Sequence, residues 1–143
     1  MVDCEWRMWR GDMTRSELEK RTKEFAIAVI RFVDKVPPKK AAWLMESQLL
    51  RAATSIGANY REANRAESRR DFLHTVAIVA KEGAESLYWI ELFDEAMIGN
   101  KEQIRLLLDE CNQLVAIFNR MRKTAKENLS RTSAIRYPQS AIS

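Results

Sequence analysis

Four glycines and three prolines are all that punctuate this chain of 143 residues. Hairpin and strand-to-helix turns draw on those two residues for positive φ or for a fixed φ. A chain with so few cannot make the many reversals of an all-β or β/α fold. It can make a few long helices. Of the total, 46% is hydrophobic and 31% charged, a balance that suits a soluble, folded domain with one core.

The apolar positions repeat at helical spacing in four stretches. Thr14-Arg15-Ser16-Glu17 has the form of a capping box. It is followed by Leu18, Phe25, Val29, Phe32, Val33 and Val36 on one stripe, which Pro37-Pro38 ends because the residue before a proline is steered out of the α region. A second helix is expected from about Lys40 to about Arg65, with Met45, Leu49, Ala52, Ala53, Ile56, Tyr60 and Ala63 on its stripe. Ser68-Arg69-Arg70-Asp71 offers a second capping box, and the helix behind it carries Phe72, Val76, Val79, Gly83, Leu87, Ile90 and Met97 to about Ile98. Gly99 is expected as the residue just past that helix, with Asn100 and Gln103 starting a fourth. The fourth stripe runs Ile104, Leu107, Leu108, Cys111, Leu114, Val115, Phe118 and Met121. Gly57 and Gly83 fall inside helices, where each costs about 1 kcal/mol against Ala, so close packing is expected at both.

Four amphipathic helices with short joints predict an all-α, antiparallel, up-down four-helix bundle over residues 14–128. Residues 1–13 read as a disordered arm, or as the product of a start codon upstream of the natural one. Residues 129–143 lose the periodicity and read as a disordered tail. The longest apolar run, Phe25 to Ile30, is far short of the ~20 residues that cross a bilayer. The opening residues lack the apolar core of a signal peptide. Cys4 and Cys111 are too few for a disulfide framework. A cytoplasmic protein with no membrane association is expected.

Apolar residues exceed what one core requires. Ile27 and Ile30 lie well round helix 1 from Phe25, and Ile78, Trp89 and Leu92 form a second line on helix 3. Such a patch predicts a contact between copies of the chain. Charge is divided unevenly. Residues 72–99 hold Lys81 alone against Glu82, Glu85, Glu91, Asp94 and Glu95, whereas residues 120–136 set six basic side chains against Glu127. That basic run reads either as a complement to the helix dipole or as a phosphate-contacting surface. The candidates for nucleic-acid contact are Arg61, Arg65, Arg69 and Arg70 around the joint between helices 2 and 3, with Arg120, Arg122, Lys123 and Lys126 on helix 4. On helix 2 a polar line of Gln48, Arg51, Ser55, Asn59 and Glu62 borders the apolar stripe, and is expected to fix the register of the core.

No constellation points to catalysis. Asp71-x-x-His74 has a metal-binding spacing, but the chain has one His, too few for a di-iron bundle. Cys111 lies on the core stripe, and no glycine-rich loop is present to cradle a phosphate. A non-enzymatic protein with no cofactor or metal is expected.

Helix 2 also carries a family pattern. Ser47-Gln48-Leu49-Leu50-Arg51-Ala52-Ala53-Thr54-Ser55-Ile56-Gly57-Ala58-Asn59-Tyr60-Arg61-Glu62 resembles the signature Q-L-x-R-A-A-x-S-I-x-A-N-x-x-E. A charged turn at Ala66-Glu67 and then Ser68-Arg69-Arg70-Asp71-Phe72 continue it, as does Gly83-Ala84-Glu85-Ser86-Leu87 on helix 3. The signature is that of the four-helix-bundle proteins encoded in intervening sequences of 23S rRNA genes. Where the family often has Gly after the last Glu, this chain has Ala63, which keeps the helix running. The resemblance implies a bundle that assembles as a ring, typically a homopentamer with a central channel. It also implies kinship with accessory variability-determinant proteins of diversity-generating retroelements, in which a basic barrel engages nucleic acid and a reverse transcriptase. It attaches no catalytic activity. The expected role is a homo-oligomeric binding scaffold for RNA or DNA; the rival is a structural adaptor that docks another protein through its helical faces.

Overall fold

The computed structural model describes residues 13–136. Most of the expected N-terminal arm, Cys4 included, and residues 137–143 of the expected tail lie outside the described residues. Four helices follow one another: α1 (Arg15–Asp34), α2 (Lys40–Asn64), α3 (Arg69–Glu95) and α4 (Lys101–Arg136). No strand occurs among the described residues. The described residues form an all-helical structure of four helices, as a four-helix bundle requires.

Each helix begins where the local chemistry allows. At α1 the capping box closes in both directions: Glu17 N–H donates to Thr14 Oγ1 at 3.1 Å and Thr14 N–H donates to Glu17 Oε2 at 2.7 Å. At α3 Ser68 Oγ accepts from Asp71 N–H at 3.1 Å. The reciprocal bond is not made there, since Asp71 is one methylene shorter than Glu. Asn100 Oδ1 accepts from Gln103 N–H at 2.9 Å and starts α4. α2 starts at Lys39 without a side-chain cap or an acidic residue in its first turn.

The end of α3 departs from expectation. The helix stops at Glu95, and the left-handed residue past its cap is Met97 (φ 56°), not Gly99. Met97 N–H donates to Asp94 O at 3.1 Å and Ile98 N–H to Phe93 O at 3.0 Å. These are the two bonds of a Schellman closure with methionine in the place glycine usually takes. Met97 therefore leaves the apolar stripe and is 76% exposed, while Phe93, one turn earlier, is fully buried in its stead. A left-handed non-glycine residue costs about 1–2 kcal/mol. Met97→Gly is accordingly expected to raise stability by about 1 kcal/mol, read as a higher urea midpoint at unchanged m value. An unchanged or lower midpoint would mean that the Met97 side chain contributes more than its exposure allows.

The core is built as the stripes predict. Leu18, Phe25, Val29 and Phe32 of α1 meet Leu49, Ile56 and Tyr60 of α2, Val76, Val79, Ile90 and Phe93 of α3, and Ile104, Leu114 and Phe118 of α4. Phe32 and Phe93 pack edge to face at 5.2 Å, and Tyr60 and Phe118 at 5.3 Å. Phe72 and Leu87, expected inside, are only half-buried at its edge. The two mid-helix glycines mark close approaches. A Cβ at Gly57 would stand 3.2 Å from Thr22 Oγ1, and one at Gly83 3.3 Å from Val115 Cγ2. Cys111 lies against the same spot, its thiol donating to Gly83 O at 3.6 Å. Burial pushes that thiol up to about 12, with Glu110 and Glu91 adding to the shift, so it acts as a core hydrophobe.

α4 does not end at Asn128 but continues to Arg136. The added turns have a surface to lie on: Asn128, Leu129 and Thr132 are half-buried, and Arg69 Nη1 donates to Thr132 Oγ1 at 2.7 Å. Met13, assigned to the arm from sequence, also packs against the core. Among the described residues no helix is long and apolar enough to cross a membrane.

Candidate nucleic-acid interface

The joint between α2 and α3 is only residues 65–68, so Arg61, Arg65, Arg69 and Arg70 are held close in space by covalent geometry alone. α2 closes there with Arg65 N–H on Glu62 O and Ala66 N–H on Ala63 O, and the electronegative end of the helix favours Arg61 and Arg65. Arg61, Arg65 and Arg70 are exposed, and Arg69 is half-buried under its bond to Thr132. That bond carries the arginine joint to the last described turns of α4. Arg120, Arg122, Lys123 and Lys126 are all exposed on the same helix.

The eight candidates do not form one flat patch. Arg61 lines a groove of about 230 Å³ between α1 and α2, where Lys23 and Glu19 join it. Arg122 lines another of about 440 Å³ between α3 and α4, with His74, Lys81 and Asn119. The basic side chains thus wrap an end of the molecule and reach into two separate grooves.

The polar line of α2 divides as well. Arg51 crosses to α3, where its guanidinium pairs with Glu82 at 3.3 Å and with Glu85. Gln48 Oε1 supports it with longer contacts of 3.5 Å. Ser55 and Asn59 instead donate back to their own helix, to Arg51 O at 2.6 Å and Ser55 O at 2.8 Å. Glu62 is exposed. Of this line, Arg51 ties α2 to α3 and Gln48 steadies it from its own helix. The acidic character of α3 is partly neutralised by that contact. Arg21 of α1 finds its partner on α4, where Nε donates to Glu110 at 3.0 and 3.1 Å and Nη2 to Gln113 at 2.7 Å. That fork spans the least extensive of the neighbouring helix contacts.

The Arg51 guanidinium holds the Glu85 carboxyl below the usual Glu range, and the indole N–H of Trp89 adds to the effect. A lowered folded value means that the folded state binds fewer protons than the unfolded chain in this window. The contribution is complete above about pH 4.3, the ordinary Glu value, and is lost as pH falls through the lowered one. Urea midpoints at neutral and acid pH are expected to differ less in Arg51→Ala than in the parent, because the variant has already lost this acid-sensitive contact. An identical pH dependence in the two would show the contact to be inert.

The expected self-contact residues are distributed unevenly. Ile27 and Ile30 are exposed, whereas Ile78, Trp89 and Leu92 are half-buried, the last two against the core. Other large apolar side chains are more open: Trp43 at 76%, with Leu44, Tyr88 and Leu106 each above half. Trp43 was legible as a Trp about 200° round α2 from Met45, opposite the core stripe. Among the described residues no group of three or more His, Cys, Asp and Glu side chains comes together as a metal site.

The family model of the 23S rRNA-intervening sequence proteins matches residues 15–120. The chain is also similar to the crystal structure of a protein with unknown function from the S23 ribosomal protein family of Bacteroides thetaiotaomicron VPI-5482. The two share 30% identity with a TM-score of 0.69, over 78% of this chain and 99% of that one. No curated protein matches this chain. The match extends from the first turn of α1 through Arg120 of α4 and takes in the Gln48–Glu62 signature: the chain belongs to the 23S rRNA-intervening sequence protein family.

Proposed function

We propose that this protein is a non-enzymatic, homo-oligomeric scaffold of the cytoplasm that binds RNA or DNA through its basic surface. The observation that carries the reading is the Arg69–Thr132 hydrogen bond, which joins the arginine-rich α2–α3 joint to the basic run of α4. Two segments far apart in sequence then present cations to one polyanion, and such binding is dominated by phosphate contacts. The helices take antiparallel, up-down order. Pairs in contact support it: Thr22 with Gly57 and Glu19 with Asn64, Arg51 with Glu82 and Glu85, Gly83 with Val115 and Arg69 with Thr132.

Assembly rests on the exposed apolar side chains Trp43, Leu44, Tyr88, Leu106, Ile27 and Ile30. A pentameric ring, and a reverse transcriptase as protein partner, follow from the resemblance to retroelement accessory proteins. The rival reading, an adaptor that docks another protein, uses these same exposed side chains. Two measurements test the proposal together. Light scattering at micromolar concentration is expected to give several times the 16.6 kDa of one chain. A fluorescent RNA or DNA duplex is expected to bind at low salt. A monomer mass removes the ring; absence of binding at low salt removes the nucleic-acid role and leaves the adaptor.

A further inference from the structure

The groove between α3 and α4 has a lining that the general basicity of the surface does not explain. Its apolar lining is Ala77, Ala80 and Ala84 from successive turns of α3, with Ile78 beside them. Its polar groups are His74 and Lys81 on one wall and Asn119 and Arg122 on the other, and no carboxylate lines it. His74 and Lys81 are seven residues apart, so they share a helix face and lie about 10 Å apart along the axis. Arg122 is exposed, and among the described residues it makes no ion pair or side-chain hydrogen bond. Lys81 is felt by Glu85 one turn on, whose carboxylate is already engaged by Arg51 from α2. Both cations are thus available to an anion entering the groove. The short alanine side chains let that anion approach the helix backbones between two walls of donors.

Resting on the nucleic-acid reading above, we propose that the α3–α4 groove seats the phosphodiester backbone of a nucleic-acid strand between Lys81 and Arg122. His74 and Asn119 add N–H donors at either wall. The occupant is a polyanionic strand because the donors are spread along the groove, not gathered at a point. Lys81 is the residue that distinguishes this site, since it is the one lysine or arginine of the otherwise acidic stretch 72–99 and lies outside the basic end.

The test uses the full chain and a fluorescein-labelled single-stranded RNA, with affinity measured against salt concentration. Each phosphate contact contributes about 0.7 to the slope of log K against log salt for a single strand. Lys81→Gln and Arg122→Gln are each expected to flatten the slope by about that amount, and the double variant by about twice as much. The double variant Lys39→Gln/Lys40→Gln, at the start of α2, is expected to leave it unchanged. Ala84→Trp fills the groove without changing charge, and is expected to flatten the slope as the charge variants do. Circular dichroism verifies the fold of every variant. If the parent binds with its full slope and the groove variants keep that slope, the groove proposal is overturned while the broader reading stands. If the parent does not bind at all, the broader reading fails first. Binding of inorganic phosphate that the double groove variant abolishes, with the strand slope unaltered, would assign the groove to a free anion and overturn the proposal. A change of assembly mass in Ala84→Trp with strand binding intact would make the groove a contact between copies, and would overturn it equally.

Discussion

Gly99→Ala is expected to destabilise the protein by about 2–5 kcal/mol. Two independent costs meet at this position. The backbone lies at φ 100°, a region that L side chains rarely adopt. A Cβ built there would also stand 2.8 Å from the Phe32 ring, which is itself buried and held edge to face by Phe93. The ring cannot retreat without opening that pair, so the clash transmits to the core. A double-mutant cycle separates the two costs. In a Phe32→Leu background the ring atoms are gone, and Gly99→Ala is expected to cost less than in the parent by about 1 kcal/mol or more. The residue of the cost is backbone strain. Urea denaturation of the four proteins measures the cycle. A neutral Gly99→Ala would mean that the α3–α4 joint relaxes freely.

The second large effect is on binding. Reversing charge at Arg120, Arg122 and Lys123 together is expected to weaken nucleic-acid affinity about a hundredfold or more at low salt. Each substitution both removes an attraction and adds a repulsion. All three side chains are exposed and lie outside the core, so helicity and assembly mass are expected to hold. Fluorescence anisotropy with labelled RNA and with duplex DNA, beside light scattering, checks both halves. Retained affinity with intact assembly would support the adaptor reading. Loss of assembly would show that the basic run of α4 contacts a neighbouring copy.

Local chemistry made most of the fold legible. Thr14-x-x-Glu17 and Ser68-x-x-Asp71 marked helix starts because capping depends on residues three apart, and Pro37-Pro38 marked a stop through sterics alone. The finish of α3 was not legible, because a methionine at φ > 0 breaks the rule that glycine takes such places. Gly99 has its own positive φ two residues later, and a sequence shows the residue without the ring that presses on it. The run of α4 past Asn128 was hidden for a related reason. Those turns are held by Thr132 and Arg69, a bond between residues 63 apart, which no periodicity reveals.

The candidate site divides in the same manner. The arginines around the α2–α3 joint are adjacent in sequence, so their proximity could be read directly. That Arg61 and Arg122 face different grooves depends on how helices pack. The polar line of α2 was visible as an arc of one helix. Which members cross to α3 was decided by reach: Arg51 is long enough to meet Glu82 and Glu85, while Ser55 and Asn59 find a carbonyl of their own helix first. That Lys81 and Arg122 line one groove had no sequence signal, because it depends on how α3 and α4 pack.

The central claim is that a basic surface assembled from two distant segments binds nucleic acid through its phosphates. The affinity of the parent protein for a labelled RNA, measured against salt from low to physiological concentration, tests it most directly. The account predicts binding at low salt and a linear fall of log K with log salt, with a slope of about −3 to −5 for a handful of phosphate contacts. No binding at low salt, or an affinity indifferent to salt, would contradict it.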